Sequence, residues 1–296
     1  MTFTNEEKNL LLDLFHIYAP SKGEKELLDF IVSILSKNNI PYQQDDNGNI
    51  YCLNHMNEPL LSAHTDCVGT AESGAYVNLI DLYPYENDEI LKGIGNIGGD
   101  DKCGVFLILL YLLSGKPINA VFSVEEEIGG FNGITHLLNV IKDNEVFKSI
   151  PYCLVLDRKN PGDIICNKNS YGSKDFEAAL YKIGKDYGYE PVLGGSSDAN
   201  KIKDYMNCCN LSVSYYNPHS STEFVSMNDL YNTWLYVQDI IKNLPRDIPL
   251  EKTVYTPSPS TTTYNQKTTC YGGKYGCRNG YNGKYDDDYY NYGWYD

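Results

Sequence analysis

The sequence predicts a three-layer α/β/α fold built on a mostly parallel central sheet. Two observations predict it. Apolar runs of strand length alternate with segments of helical periodicity up to about residue 243, and such alternation makes parallel strands joined by helices that cover both faces. Several of the apolar runs also lead into a histidine or an acidic residue. The carboxyl ends of strands are where open α/β sheets gather their functional groups.

Taken in order, Leu10, Leu11, Leu12, Leu14 and Phe15 fall at helical spacing and predict a helix over 6–18. The pattern returns over 24–35, after the breaker Ala19-Pro20-Ser21-Lys22-Gly23. Short strands are expected at 49–53 and 59–64. Residues 101–113 read as an apolar helix, with Asp100 where an N-cap carboxylate would stand. A strand over 118–124, a helix over 132–142, strands over 152–157 and 163–166 and a helix over 174–183 continue the alternation. A helix at 198–205, a strand at 209–214 and a helix at 227–243 close it.

At 296 residues and 42% hydrophobic, the chain can bury one large core. Its net charge of −15 argues against nucleic acid and anionic membrane surfaces as partners. No segment approaches the ~20 apolar residues that span a bilayer, and residues 1–9, polar and acidic, do not read as a secretion signal. Nine cysteines, an odd number without a regular framework, suit reduced thiols in a cytoplasm. After Leu244-Pro245 the composition changes to Thr/Ser/Pro and then to Tyr, Gly, Asn and Asp, and ten of the 27 tyrosines lie there. With almost no aliphatic residue to bury, 247–296 is expected to be a disordered low-complexity tail behind a single domain at 1–246, Cys270 and Cys277 being stray thiols.

The strand-end residues form a ligand set. Leu60-Leu61-Ser62-Ala63 runs into His64 and Asp66, and Ala120-Val121-Phe122-Ser123-Val124 into Glu125-Glu126-Glu127. Tyr152-Cys153-Leu154-Val155-Leu156 runs into Asp157, and Leu211-Ser212-Val213-Ser214 leads toward His219. Oxygen ligands with imidazole and no thiolate suit two divalent ions, with zinc expected and cobalt or manganese as alternatives. A dinuclear hydrolase needs one bridging carboxylate and one that touches the water instead of the metal. Asp100, in Gly98-Gly99-Asp100-Asp101-Lys102-Cys103-Gly104, is the candidate bridge. His64 and Asp157 would complete one ion, Glu127 and His219 the other. Glu126 would be the general base, and Asp66, two residues along an extended segment, would receive the His64 N–H.

These motifs together resemble the zinc exopeptidases with co-catalytic metals: peptidase T, the tetrahedral aminopeptidases, glutamyl aminopeptidase and their relatives. The pattern His-x-Asp, Gly-x-Asp-Asp-Lys-x-Gly, Glu-Glu-x-Gly, a strand-end Asp and a late His is matched by His64 and Asp66, Gly98 to Gly104, Glu126 to Gly129, Asp157 and His219. His219-Ser220-Ser221-Thr222-Glu223, Ala19-Pro20-Ser21-Lys22-Gly23-Glu24 and Gly194-Gly195-Ser196-Ser197-Asp198-Ala199-Asn200 are further echoes. The resemblance covers about residues 5–243 and implies aminopeptidase action on short peptides.

Two departures stand out. Relatives often insert a lid or dimerisation domain, but only 36 positions separate His64 from Asp100 and 41 separate Asp157 from Asp198, where a domain needs ~50 or more. A bare catalytic unit is expected, with 68–92, including Tyr76, Tyr83 and Tyr85, as a candidate rim; substrate contacts would come from loops or from another copy in a homo-oligomer. The triple Glu125-Glu126-Glu127 also leaves a shift of one residue open. Residue by residue there are plainer readings: His64 as a satisfied core histidine, Asp157 paired with Arg158, His219 as a loop residue, Cys67 and Cys103 as packing residues. A deacylase or carboxypeptidase of the same superfamily is a rival, although only Arg158, Arg246 and Arg278 are present to grip a carboxylate. A non-enzymatic scaffold with a vestigial site is the other.

Overall fold

The computed structural model describes residues 2–69 and 77–251. The expectations for the tail, for Cys270 and Cys277 and for Tyr76 lie outside these residues. Met1–Lys252 form one compact unit.

Two helices open the chain, α1 (Asn5–Phe15) and α2 (Lys25–Lys37). Thr4 and Glu7 form a reciprocal capping box at the start of α1, which satisfies two otherwise orphaned N–H groups. The strands β1 (Gln43–Gln44), β2 (Ile50–Cys52) and β3 (Leu60–His64) precede a hairpin of β4 (Asp81–Tyr85) and β5 (Asp88–Lys92). The apolar helix α3 (Gly99–Leu113), the strand β6 (Asn119–Ser123) and the helices α4 (Ile134–Ile141) and α5 (Glu145–Ser149) follow. Next come β7 (Tyr152–Arg158), β8 (Asp163–Ile165), α6 (Lys174–Gly184), β9 (Glu190–Pro191) and the short α7 (Ala199–Ile202). The chain ends on β10 (Asn207–Ser212), β11 (Tyr215–Tyr216), β12 (Phe224–Ser226) and α8 (Met227–Asn243).

Eight strands form the central sheet in the order β1-β2-β6-β3-β7-β10-β8-β9. The pairs β6–β3, β3–β7 and β7–β10 are parallel, so four strands present their carboxyl ends along one edge. Side-chain alternation on these strands feeds two separate cores. Leu61, Ala63, Phe122, Leu154 and Leu156 pack with α1, α2, α3 and α8, while Leu60, Val121, Cys153 and Val155 pack with α4, α5 and α7. Both sheet faces are therefore covered, and the three-layer α/β/α architecture stands as expected.

Three local expectations change. The helix expected over 198–205 is only α7, because the chain must turn before entering β10 at Asn207. Residues 68–92 contain the β4–β5 hairpin, which joins β12 and β11 in a second, four-stranded sheet. Tyr83 and Tyr85 lie on its outer strand, β4, and are exposed. The expected N-cap at Asp100 is also wrong by one residue. Asp101 caps the helix, its Oδ1 accepting from Gly104 N at 3.1 Å, and both Asp100 and Asp101 have non-helical backbone angles. Asp100 is thereby left free to point elsewhere.

Candidate metal centre

His64 ends β3, the strand flanked on both sides by parallel neighbours, and is 2% exposed. Its backbone N–H donates to Asp101 Oδ2 at 3.2 Å, which ties the strand end to the start of α3. Its Nε2 faces Asp100 Oδ1 at 3.0 Å and Asp157 Oδ1 at 3.5 Å. Across the site, His219 Nε2 lies 3.2 Å from the other Asp100 oxygen, Oδ2, and 2.8 Å from Glu127 Oε1. One carboxylate thus stands between two imidazoles, each of which faces a further carboxylate.

The Gly98 to Gly104 segment explains itself residue by residue. Gly98 adopts φ +73°, a left-handed conformation that glycine takes without steric cost. Asp100 reaches the site while Asp101 caps the helix. Lys102 is buried and its Nζ donates to Ile17 O at 2.6 Å, fastening the loop to the end of the first helical segment. At Gly104 a Cβ would sit 2.1 Å from Leu156 O, so only glycine lets α3 lie this close to β7.

The backbone after β6 is held by side chains from elsewhere. Val124 N donates to Asn49 Oδ1 at 3.0 Å and Glu125 N to Glu24 Oε1 at 3.1 Å. Asp66 takes the next two, Glu126 N at 2.9 Å on Oδ1 and Glu127 N at 3.2 Å on Oδ2. Ser21 Oγ adds a bond to Asp66 Oδ2 at 2.7 Å. The motif at 19–24 therefore serves the site at a distance, through Ser21 and Glu24. His64 Nδ1 lies 3.0 Å from the Asp66 carbonyl oxygen and 3.3 Å from its carboxylate, so the carbonyl is the nearer partner and the carboxylate is mainly engaged by the Glu126–Glu127 backbone. Glu125 turns away and accepts from Asn132 Nδ2 at 2.9 Å. Glu126 and Glu127 are left as the pair at the site.

Asp157 is aimed by Asn210 on β10, which exchanges two hydrogen bonds with the Asp157 backbone at the point where the β7–β10 register shifts. Arg158 pairs with Asp163 at 2.9 Å, so Asp157 is not its partner. His219 sits at φ +60° on an exposed loop whose ends are closed by the β11–β12 pairing and by Tyr216 stacked on Phe224 at 4.7 Å.

Sequence reasoning passed over three residues as site residues. Tyr215 is buried and its hydroxyl donates to Asp157 Oδ1 at 3.3 Å. Asp198 is buried and accepts from Ser123 Oγ at 2.6 Å, beside the His64 strand end, with which Ser123 is in register. Glu223 is 2% exposed and accepts from the backbone of Ile97, Gly98 and Asp100. Asp198 and Glu223 were visible only as members of motif echoes.

The electrostatics are dominated by buried carboxylates drawn close together. Burial pushes Asp157 and Asp101 well above the usual carboxylate range against the pull of His64, with Asp100 and Glu126 adding repulsion at Asp157 and Asp157 and Asp100 adding it at Asp101. Burial takes Glu126 up to about 7, with Asp198, Glu127 and Asp100 adding repulsion and His64 opposing. Burial likewise lifts Glu223 to about 7 and Asp198 to about 6. Burial opposes the charged form of His64, yet Asp100, Asp157 and Asp66 together raise it well above its ordinary value. Hydrogen bonds to the Asp100 and Glu127 carboxylates raise His219 to about 10 against the effect of burial. Burial disfavours ionised Asp100, but the two imidazoles hold it below the usual carboxylate range. So many carboxylates converging around two imidazoles fit a cation-binding centre, because buried charge must be paired. His64, Asp100 and Glu127 form one group of ligand atoms close enough to share an ion, and His64, Asp101 and Asp157 form another. In the second group Asp101 has both oxygens engaged by backbone N–H groups, which leaves Asp100 the better donor.

No family model and no curated protein matches the chain. Solved structures do. A tripeptidase from Staphylococcus aureus is similar at 15% identity and a TM-score of 0.64, over 82% of this chain and 98% of that one. Aminopeptidase PepT from Bacillus cereus is similar at 16% identity and a TM-score of 0.61, over 80% and 98%. The fold is that of these peptidases. The TET1 peptidase of Pyrococcus horikoshii also has it, at 17% identity, a TM-score of 0.57 and 76% and 96% coverage, and can assemble into a tetrahedron or a large octahedral shell. Such an aminopeptidase fold covers nearly the whole of each solved chain here, and among the described residues no helix is long and apolar enough to cross a membrane.

Proposed function

We propose that this protein is a dinuclear metal-dependent exopeptidase that cleaves short peptides from the amino end. One observation carries the reading. Asp100 turns one carboxylate oxygen to His64 and the other to His219, and each imidazole faces a further carboxylate, Asp157 or Glu127. That is the arrangement a bridging ligand between two ions requires. His64 and Asp157 would hold one ion with Asp100, and Glu127 and His219 the other. When bound, the two ions, zinc by this donor set, supply Lewis-acid polarisation of the scissile carbonyl and a water of lowered pKa.

The remaining work belongs to the chain. Glu126, half-buried beside the ligands, takes the proton of the attacking water on its carboxylate and returns it to the leaving amine. Burial that raises its proton affinity toward 7 suits both halves of that shuttle, while bound cations act in the opposite direction. Asp66 holds the backbone of Glu126 and Glu127 in place, and the Glu127 carboxylate reaches His219 at 2.8 Å.

Direction of attack follows from charge. Arg158 and Arg246 are paired with Asp163 and Glu58, so neither is available to grip a substrate carboxylate. The site is rich in carboxylates, including buried Asp198, and favours an α-ammonium over an α-carboxylate. The same fold in a self-assembling peptidase favours a homo-oligomer, and the free, buried cysteines of the described residues suit a cytoplasmic setting. The test is a panel of free-amine, N-acetylated and C-amidated dipeptides with the metal-reconstituted protein. N-acetylation should cost far more rate than C-amidation. Faster cleavage of N-acyl amino acids would move the protein to a deacylase activity.

A further inference from the structure

The loop carrying Asp100 and the loop carrying His219 are joined by a single buried side chain. Glu223 Oε2 accepts from Ile97 N at 2.9 Å and from Gly98 N at 2.8 Å, and its Oε1 accepts from Asp100 N at 3.2 Å. It is 2% exposed and follows His219 by four positions in the same β11–β12 loop. Packing leaves it no slack. A Cβ on Gly99 would lie 3.1 Å from Glu223 Oε1 and 2.8 Å from Tyr215 Cβ.

The two halves of the candidate centre are supported differently. His64 and Asp157 stand on the neighbouring parallel strands β3 and β7. His219 stands on an exposed loop between β11 and β12, and within that loop it is Glu223 that bonds to the segment carrying Asp100. We infer that Glu223 is a positioning residue that locks the Asp100 loop to the His219 loop and so governs binding of the ion shared by Asp100, Glu127 and His219. The inference rests on the dinuclear reading above.

A carboxylate is needed because all three partners are N–H donors, and only an acceptor-only group satisfies three donors with two oxygens. In Glu223→Gln one end of the side chain becomes an NH2 group, which must face at least one of those N–H groups. The Asp100 backbone or the 97–98 turn then shifts. The ion held by His64 and Asp157 keeps its strand-end ligands. The other loses the alignment of two of its three.

Cobalt(II) titration of metal-free wild type and Glu223→Gln, followed by calorimetry and by visible absorption, tests this. Wild type should take up two ions. The variant should bind the second ion ~10–100-fold more weakly, the size expected when support of a ligand is removed, and should weaken the first, which keeps two of its three ligands aligned, clearly less. Two ions at unchanged affinities, or equal weakening of both in a folded variant, would overturn the role assigned to Glu223. Should the variant not fold, amide exchange on the metal-free wild type decides: Ile97, Gly98 and Asp100 should be protected, and exchange at the rate of an unstructured loop overturns the clamp. If wild type binds fewer than two ions, it is the dinuclear reading that fails, and amide protection still reports on Glu223.

Discussion

Replacing Asp66 by asparagine perturbs the loop that presents Glu126 and Glu127 without changing the size of any side chain in it. The carboxylate accepts from Glu126 N at 2.9 Å, Glu127 N at 3.2 Å and Ser21 Oγ at 2.7 Å, and lies 3.3 Å from His64 Nδ1. An amide has one oxygen, which can keep the Glu126 bond. Its NH2 then faces Ser21, whose hydroxyl can turn to accept, and Glu127 N, which cannot. One buried N–H is left against a donor. Hydrogen bonds to charged groups contribute about 1.5–3 kcal/mol, and in a domain of this size each kcal/mol moves Tm by about 2–4 °C. Asp66→Asn should therefore lower the Tm of metal-free protein by about 3–12 °C. Metal affinity should fall ~10–100-fold through the loosened His64 and Glu127. Differential scanning calorimetry and a chelator competition titration measure the two effects. A Tm and an affinity both equal to wild type would refute the reasoning, since the hydrogen bonds would then contribute nothing.

Three further outcomes are expected. Glu126→Gln should retain the metals but lose ~10²–10⁴-fold in turnover, whereas Glu127→Gln should weaken metal binding; the reverse pattern in metal analysis and kinetics would mean that the glutamate register is shifted by one. The metal-free protein should lose stability as pH rises from 5 to 8: Glu126, Glu223 and Asp198 are raised by burial to about 7, 7 and 6, so their contribution is full below their ordinary carboxylate values and lost through pH 6–7, and His219, raised to about 10, loses its contribution above its ordinary 6.5. Added metal should flatten that decline in thermal melts, and a metal-free Tm that rises over this range would contradict it. Truncation after residue 251, which spares the bonds from Asn207 Nδ2 to Ile248 O and Pro249 O, should leave Tm and turnover nearly unchanged, and a large fall in Tm would show that the removed residues pack on the domain.

The layer architecture was legible because strand and helix periodicities differ. The runs ending at His64, Ser123 and Asp157 lie where the apolar pattern put them, as β3, β6 and β7. The candidate ligands were legible for the same reason, being chemically conspicuous groups at strand ends. The second sheet was not legible. Its strands are short and largely polar, Asp81–Tyr85 and Asp88–Lys92 among them, and its two hairpins are joined only by β5 and β12, which lie more than a hundred positions apart. Nor were the supporting roles of Glu24, Ser21, Glu223 and Asp198. Glu24, Glu223 and Asp198 accept backbone N–H or hydroxyl bonds from distant segments and Ser21 donates its hydroxyl to Asp66, and no local periodicity encodes such a partner. The N-cap was misplaced because Asp100 and Asp101 are adjacent and identical, and only geometry tells which one turns inward to the helix.

The central claim is that Asp100 bridges two ions. Elemental analysis of protein purified without chelator, combined with an anomalous difference map, tests it most directly. About two divalent ions per chain are expected, one beside His64 and Asp157 and one beside Glu127 and His219, with Asp100 between them. A single ion, or none near His64 and Asp100, would contradict it.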